Sequence, residues 1–174
     1  VKLIDVNLSL KAQSDGDDFV FTDLYENKCA HQIEYFNNTT GELIAWVNVP
    51  SLSSTVDTVL YLYYGNMSCG SQQNKTGVWD SGYLMVQHLN ETSGMCYDST
   101  SYGRNGSPNG GVNRSAVGMI DGADRFAMPE QYLQGSSFVV GDQYTLGMWF
   151  KMDALSNTAV FEMDPFLSFN AARG

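Results

Sequence analysis

Apolar and polar positions alternate from the start of the chain. Ile4, Val6, Leu8 and Leu10 point one way and Asp5, Asn7, Ser9 and Lys11 the other, which predicts a half-buried β-strand with Asn7 on its polar face. Ser14-Asp15-Gly16-Asp17-Asp18 predicts a turn and Phe19-Val20-Phe21-Thr22 a second strand. A third strand runs from Gln32 to Phe36 and ends in the turn Asn37-Asn38-Thr39-Thr40-Gly41. Residues 43–49 and 56–64 are apolar on both faces, as central strands of a sandwich are, and Pro50 ends the first of them. Gly, Ser, Asn and Gln dominate residues 65–77, which read as a linker. Further strands are predicted over 83–89, 116–120, 125–128, 143–152 and 158–163, with a long polar stretch at 90–114. Tyr144, Leu146, Met148, Phe150 and Met152 keep the period of two most clearly among these. No helix of useful length is predicted. The expectation is an all-β chain of sandwich or barrel type.

Composition supports that reading and narrows the partners. Ten Tyr, nine Phe and three Trp, with seventeen Gly, favour strands joined by tight turns. An apolar share of 43% suffices for a real core. A formal charge of −10, with only nine Lys and Arg, argues against binding to a nucleic-acid backbone. No apolar run approaches the roughly 20 residues of a membrane span, and no signal peptide is recognisable, so Val1 is expected to be a processed terminus or a fragment edge. Three cysteines are too few and too dispersed for a zinc motif. Cys69 and Cys96 lie in turn-rich segments flanking one apolar strand and are the favoured disulfide pair, with Cys29 left over. The sequence leaves all three pairings open.

Eight of the thirteen asparagines open an Asn-x-Ser/Thr triplet: Asn7, Asn37, Asn38, Asn66, Asn74, Asn90, Asn105 and Asn113. Chance at this Ser and Thr content would supply about two. None falls on a predicted core position, as a glycan acceptor requires. The density places the protein outside the cell.

The chain also resembles two families in tandem. Asp17-Asp18-Phe19-Val20-Phe21-Thr22-Asp23, Gln32-Ile33-Glu34-Tyr35-Phe36, Ala45-Trp46-Val47-Asn48-Val49-Pro50, Leu60-Tyr61-Leu62-Tyr63-Tyr64-Gly65-Asn66 and Val78-Trp79-Asp80 resemble, in order and spacing, the extracellular family termed domain of unknown function 2341. His88-Leu89-Asn90-Glu91, Tyr97-Asp98-Ser99-Thr100, Asn105-Gly106, Asp121-Gly122 and Tyr144-Thr145-Leu146-Gly147-Met148-Trp149-Phe150-Lys151 resemble the start of a laminin-G-like, concanavalin-type jelly roll. The resemblance implies two consecutive β-sandwich domains, residues 1–78 and 79–174, the second incomplete within this chain. It implies proteins of archaeal and bacterial cell surfaces, and it makes calcium the one cofactor to consider, with Asp98, Asp121 and Asp124 as oxygen donors at a rim.

Catalytic chemistry finds little to stand on. Glu162 and Asp164 share a face of a predicted strand, but the third carboxylate of a glycosidase constellation is missing and Pro165 follows, so the pair reads as an acidic strand end. His31 and His88 lack a neighbouring nucleophile and acid and read as structural. Trp46 and Trp149, within strands, are expected in the core, whereas Trp79, beside the linker, is the aromatic best placed to contact a ligand. The reading that results is a non-catalytic, N-glycosylated structural or adhesive surface protein, such as a subunit of an envelope layer, sheath or filament. Its partners would be like subunits or other envelope proteins, and glycans. The alternatives are a carbohydrate-binding module of a larger secreted protein and the non-catalytic part of a secreted glycan-cleaving enzyme.

Overall fold

From its N-terminus the chain forms a short strand, β1 (Lys2–Ile4), and then a helix, α1 (Val6–Lys11). The continuous strand expected through Leu10 is therefore corrected. Asp5 caps the helix by accepting the N–H of Asn7 at 2.8 Å, and this stops the strand after Ile4. Residues two apart on a helix diverge by about 200°, so the alternating run scatters: Leu8 is 1% exposed, while Val6 and Leu10 face solvent. Next come β2 (Val20–Thr22), β3 (Lys28–Cys29), β4 (His31–Asn37), β5 (Glu42–Val47) and β6 (Tyr61–Tyr63). The hairpin of β4 and β5 closes at Gly41, whose φ of +73° and close approach to the Asp5 carbonyl leave no room for a side chain.

Two three-stranded antiparallel sheets result, ordered β1-β5-β4 and β3-β2-β6. Their inner faces, together with α1, enclose one core of Leu8, Phe19, Phe21, Cys29, Leu43 and Ala45, flanked by Ile33, Phe36, Leu62 and Tyr64. Phe19 meets Phe36 edge to face, with ring centroids 4.9 Å apart. Burying Phe19 and Phe21 contributes roughly 1.5–3 kcal/mol each. A buried carboxylate, Asp18, ties the connecting segments together. It accepts the N–H of Gln13 at 2.9 Å on one oxygen and those of Gly65 and Asn66 at 2.5 and 3.1 Å on the other.

Other expectations are adjusted. Only Tyr61–Tyr63 of the expected 56–64 strand pairs, because the Ser53 hydroxyl takes the N–H groups of Thr55 and Val56 into a turn. Residues 65–77 are laid against the fold instead of hanging as a linker. Gln72 N–H binds the Asp17 carbonyl, Asn74 N–H the His31 carbonyl, and the Gln73 side chain accepts from Ile33 N–H. They lead into a single helical turn, α2 (Lys75–Val78). The expected 83–89 strand is reduced to one bridge, Gln87 to Asp98, because the Asp98 carboxylate takes the N–H of Val86. β7 (Ser107–Asn109), β8 (Asn113–Val117), β9 (Gly122–Arg125) and β10 (Tyr132–Gln134) form two antiparallel ribbons, β7 with β10 and β8 with β9.

The computed structural model describes residues 1–153, 158–163 and 167–171. The chain divides into two units, Val1–Phe138 and Val139–Gly174, so residue 78 falls inside the first. In the second, β11 (Thr158–Met163) pairs with β12 (Leu167–Ala171), and the expected strand over 143–152 is not formed. Glu162 lies in β11, and Asp164 lies outside the described residues. The protein is all-β apart from its short helices.

Candidate functional site

Strand β4 carries one residue more than its partner needs. Ile33 pairs with Ala45 and Tyr35 with Ile44, leaving Glu34 as a β-bulge. The bulge returns Phe36 to the core opposite Leu43. Glu34 is aimed at the outer face, where Gln32 stands opposite Trp46. The indole N–H of Trp46 donates to Glu34 Oε2 at 2.6 Å. The same oxygen meets His88 Nδ1, delivered by the segment after α2, and both side chains of this pair are at least nine-tenths buried.

Trp79 completes the arrangement. It caps the C-terminal end of α2, whose Asn74 side chain accepts the N–H of Gly77 and whose Gly77 carbonyl accepts from the Asn48 amide. Its indole N–H donates to Gln32 Oε1 at 3.0 Å, and Gln32 Nε2 donates to Ser99 Oγ at 2.8 Å. Trp46 and Trp79 stand 5.3 Å apart between ring centroids, and Tyr83 lies edge-on to Trp79 at 5.1 Å. Trp46 is 40% and Tyr83 48% exposed. The surface is thus an aromatic face whose indole N–H groups are spent on partners behind it. Such anchoring fixes the rings before any ligand arrives. The enclosed carboxylate accepts from Trp46 and contacts His88, which ties the Trp46 ring to the segment after α2.

The sequence singled out Trp79 as a candidate contact residue, which the structure places in this aromatic cluster, and did not single out Glu34, Gln32 or Tyr83. One signal was available: Gln32 and Glu34, two apart in an otherwise apolar strand, point away from the core. Trp46 is half-exposed and Trp149 79% exposed, correcting the expectation that both are core residues. His31 is fully buried beside Phe21, with ring centroids 5.3 Å apart.

The three aspartates considered for calcium are occupied separately. Asp98 accepts from the N–H groups of Val86, Thr100 and Arg104 and from the Thr100 hydroxyl. Burial alone would raise its pKa, but these donors outweigh it and hold the carboxyl below its ordinary value. Asp124 pairs with Arg114 Nε at 2.6 Å, and Asp121 accepts from the Asn90 amide at 3.4 Å. Among the described residues no group of three or more His, Cys, Asp or Glu is arranged to hold a metal ion. The Cys69–Cys96 bridge is not formed, and Cys29, Cys69 and Cys96 are all free. The reason is placement: Cys96 is buried against Asp124, whereas Cys69 sits beside Asn66 and Gln13.

None of the eight acceptor asparagines is buried. Asn38, Asn66, Asn74 and Asn113 are exposed; Asn7, Asn37, Asn90 and Asn105 are half-buried. The amide nitrogens of Asn7, Asn37 and Asn90 donate to Asp5, Tyr35 and Asp121. Among the described residues no helix is long and apolar enough to cross a membrane.

A family model described as Domain of unknown function (DUF2341) matches residues 15–105, a little over half of the chain. The matched span contains Glu34, Trp46, Trp79, Tyr83 and His88. No curated protein and no solved structure matches the chain.

Proposed function

We propose that this chain, which belongs to the DUF2341 family of domains of unknown function, is an extracellular, N-glycosylated, non-catalytic adhesive domain that holds carbohydrate on the Trp46–Trp79–Tyr83 surface. The observation that carries the reading is the anchoring of that surface. An exposed indole normally keeps a polar N–H in reach of water, but here Glu34 and Gln32 occupy both N–H groups. What faces outward is the ring itself, which suits the C–H face of a sugar. Asp80 and Ser81, exposed between Trp79 and Tyr83, offer hydrogen bonds to ring hydroxyls. The charge of −10 disfavours nucleotide polymers as the stacking ligand. Eight acceptor triplets without a buried asparagine support the extracellular setting.

Electrophoresis of the intact chain through gels containing different soluble polysaccharides tests the proposal. Retardation in at least one gel is expected, lost in Trp46→Ala with the far-ultraviolet circular dichroism unchanged. Equal retardation of the variant, or none in a broad panel, would overturn it. A second reading, self-assembly into a layer or filament, is favoured by Tyr144, Leu146, Met148 and Phe150. These alternate, are exposed, and lie outside any strand. Sedimentation at rising concentration tests it, and a persistent monomer would contradict it.

A further inference from the structure

Of the acceptor triplets, Asn66-Met67-Ser68 stands in a distinctive setting. Its asparagine lines a pocket of about 240 Å³ together with Val20, Tyr63, Tyr64 and Gln72. The backbone at Asn66 is held from three directions. Its N–H donates to Asp18, and its carbonyl accepts from Gln13 Nε2 at 2.7 Å and from the Cys69 thiol at 3.3 Å. The side chain is oriented as well: Oδ1 accepts the N–H of Ser68 at 3.2 Å and its hydroxyl at 3.1 Å. This leaves Nδ2, the atom that would carry a sugar, with no donation to a neighbour among the described residues. The corresponding nitrogens of Asn7, Asn37 and Asn90 are used inside the fold, whereas those of Asn38, Asn74, Asn105 and Asn113, like that of Asn66, make no donation among the described residues, so it is the pocket that sets Asn66 apart. Tyr63 is 51% exposed on the pocket wall, and Tyr64 precedes the acceptor by two residues.

We propose that Asn66 carries an N-linked glycan whose first sugar sits in the pocket against Tyr63 and Tyr64, fastening the 65–72 segment to the sheet edge. The inference rests on the extracellular reading above. The modification is a group transfer from a lipid-diphosphate-linked oligosaccharide. Nδ2 forms a bond to the sugar's C1 and gives up one proton, while the C1–O bond to the lipid diphosphate breaks and that group leaves with the electron pair. No oxidant or reductant is involved. The pocket lies below the roughly 300 Å³ of a typical drug-sized site, a scale that suits one sugar ring tethered at its rim. Because Asp18 and Gln13 have already ordered the acceptor backbone, seating the sugar adds contacts with little further ordering. The glycan therefore stabilises the folded state.

The test is secretion of the full chain from a eukaryotic host, with peptide mass mapping of each triplet and thermal unfolding before and after enzymatic removal of glycans. The expected result is occupancy of Asn66 and a melting temperature about 2–4 °C higher with the Asn66 glycan present. Ser68→Ala, which removes the triplet and leaves the pocket wall intact, should abolish that increment. Tyr63→Ala should also abolish it while preserving occupancy, each variant being compared with its own deglycosylated form. Occupancy at Asn38, Asn74 or Asn113 with Asn66 bare would overturn this inference and leave the extracellular reading standing. Occupancy at Asn66 with an increment unchanged by Tyr63→Ala would overturn the seating in the pocket. Absence of glycan at every triplet would overturn the extracellular reading itself.

Discussion

Replacing Asp18 with alanine probes the junction on which the core between the two three-stranded sheets depends. The carboxylate is 3% exposed and accepts three backbone N–H groups, from Gln13, Gly65 and Asn66. Alanine leaves these donors facing a small cavity. An unsatisfied buried group costs about 1–3 kcal/mol. Water entering the vacated space re-solvates some of the donors, so the expected total is about 3–5 kcal/mol and not the full sum. That is a large part of the ~5–15 kcal/mol by which domains of this size are stable. Asp18→Asn should fall between, because the amide oxygen serves one side and its NH₂ confronts donors on the other. Asp15→Ala serves as the control. Asp15 is exposed and, among the described residues, accepts the N–H of Asp17 alone, so a change within about 0.5 kcal/mol is expected. Urea unfolding followed by circular dichroism supplies the measurement. A loss below about 1 kcal/mol in Asp18→Ala would refute the reasoning, because the three donors would then have found partners without the carboxylate.

Burial, reinforced by the Lys28 charge, lowers the pKa of His31 from its ordinary 6.5. The unfolded chain takes up the proton first as pH falls. Stability should be full above about pH 6.5 and decline below it towards the lowered folded value, with a slope of at most ~1.4 kcal/mol per pH unit. His31→Phe should remove that component, and an unchanged profile would contradict the assignment. Gly41→Ala introduces a Cβ only 1.9 Å from the Asp5 carbonyl at a φ of +73°. A loss of about 2–4 kcal/mol in urea unfolding is expected, and a neutral effect would mean that the hairpin turn is misplaced. Burial, then Asp124, pushes the Cys96 thiol up to about 12. Iodoacetamide at pH 8 followed by mass spectrometry should label half-buried Cys69 before Cys96, with Cys96 reacting after denaturation. Equal rates, or a Cys69–Cys96 crosslink in the native protein, would refute this.

What could be read from the sequence was local. The β4–β5 hairpin was visible because apolar alternation and an Asn/Gly turn agreed. The Asp18 latch was invisible, since a buried aspartate in an acidic turn looks like its solvated neighbours Asp15 and Asp17. Residues 4–10 misled because a short alternating run does not specify strand over helix, and a single capping carboxylate at Asp5 decided the matter. The aromatic site was half legible: Trp79 stood out by position. The link from Glu34 to His88 crosses from β4 to a segment beyond α2, and no local pattern encodes it. The bulge that returns Phe36 to the core after Glu34 is a property of paired strands, so one strand read alone cannot reveal it.

Carbohydrate held as proposed would lay a sugar ring on the indoles of Trp46 and Trp79. Trp149 contributes the third indole in the chain, so its replacement in Trp149→Phe leaves fluorescence that reports on the site alone. Titrating this variant with an oligosaccharide from whichever polysaccharide retards the intact chain should give a saturable shift in emission. Its midpoint should match the affinity from calorimetry, and Glu34→Gln, which weakens the anchor of Trp46, should raise the dissociation constant about tenfold, the equivalent of ~1.4 kcal/mol. Emission that stays constant while calorimetry still records binding would place the ligand elsewhere and contradict the account.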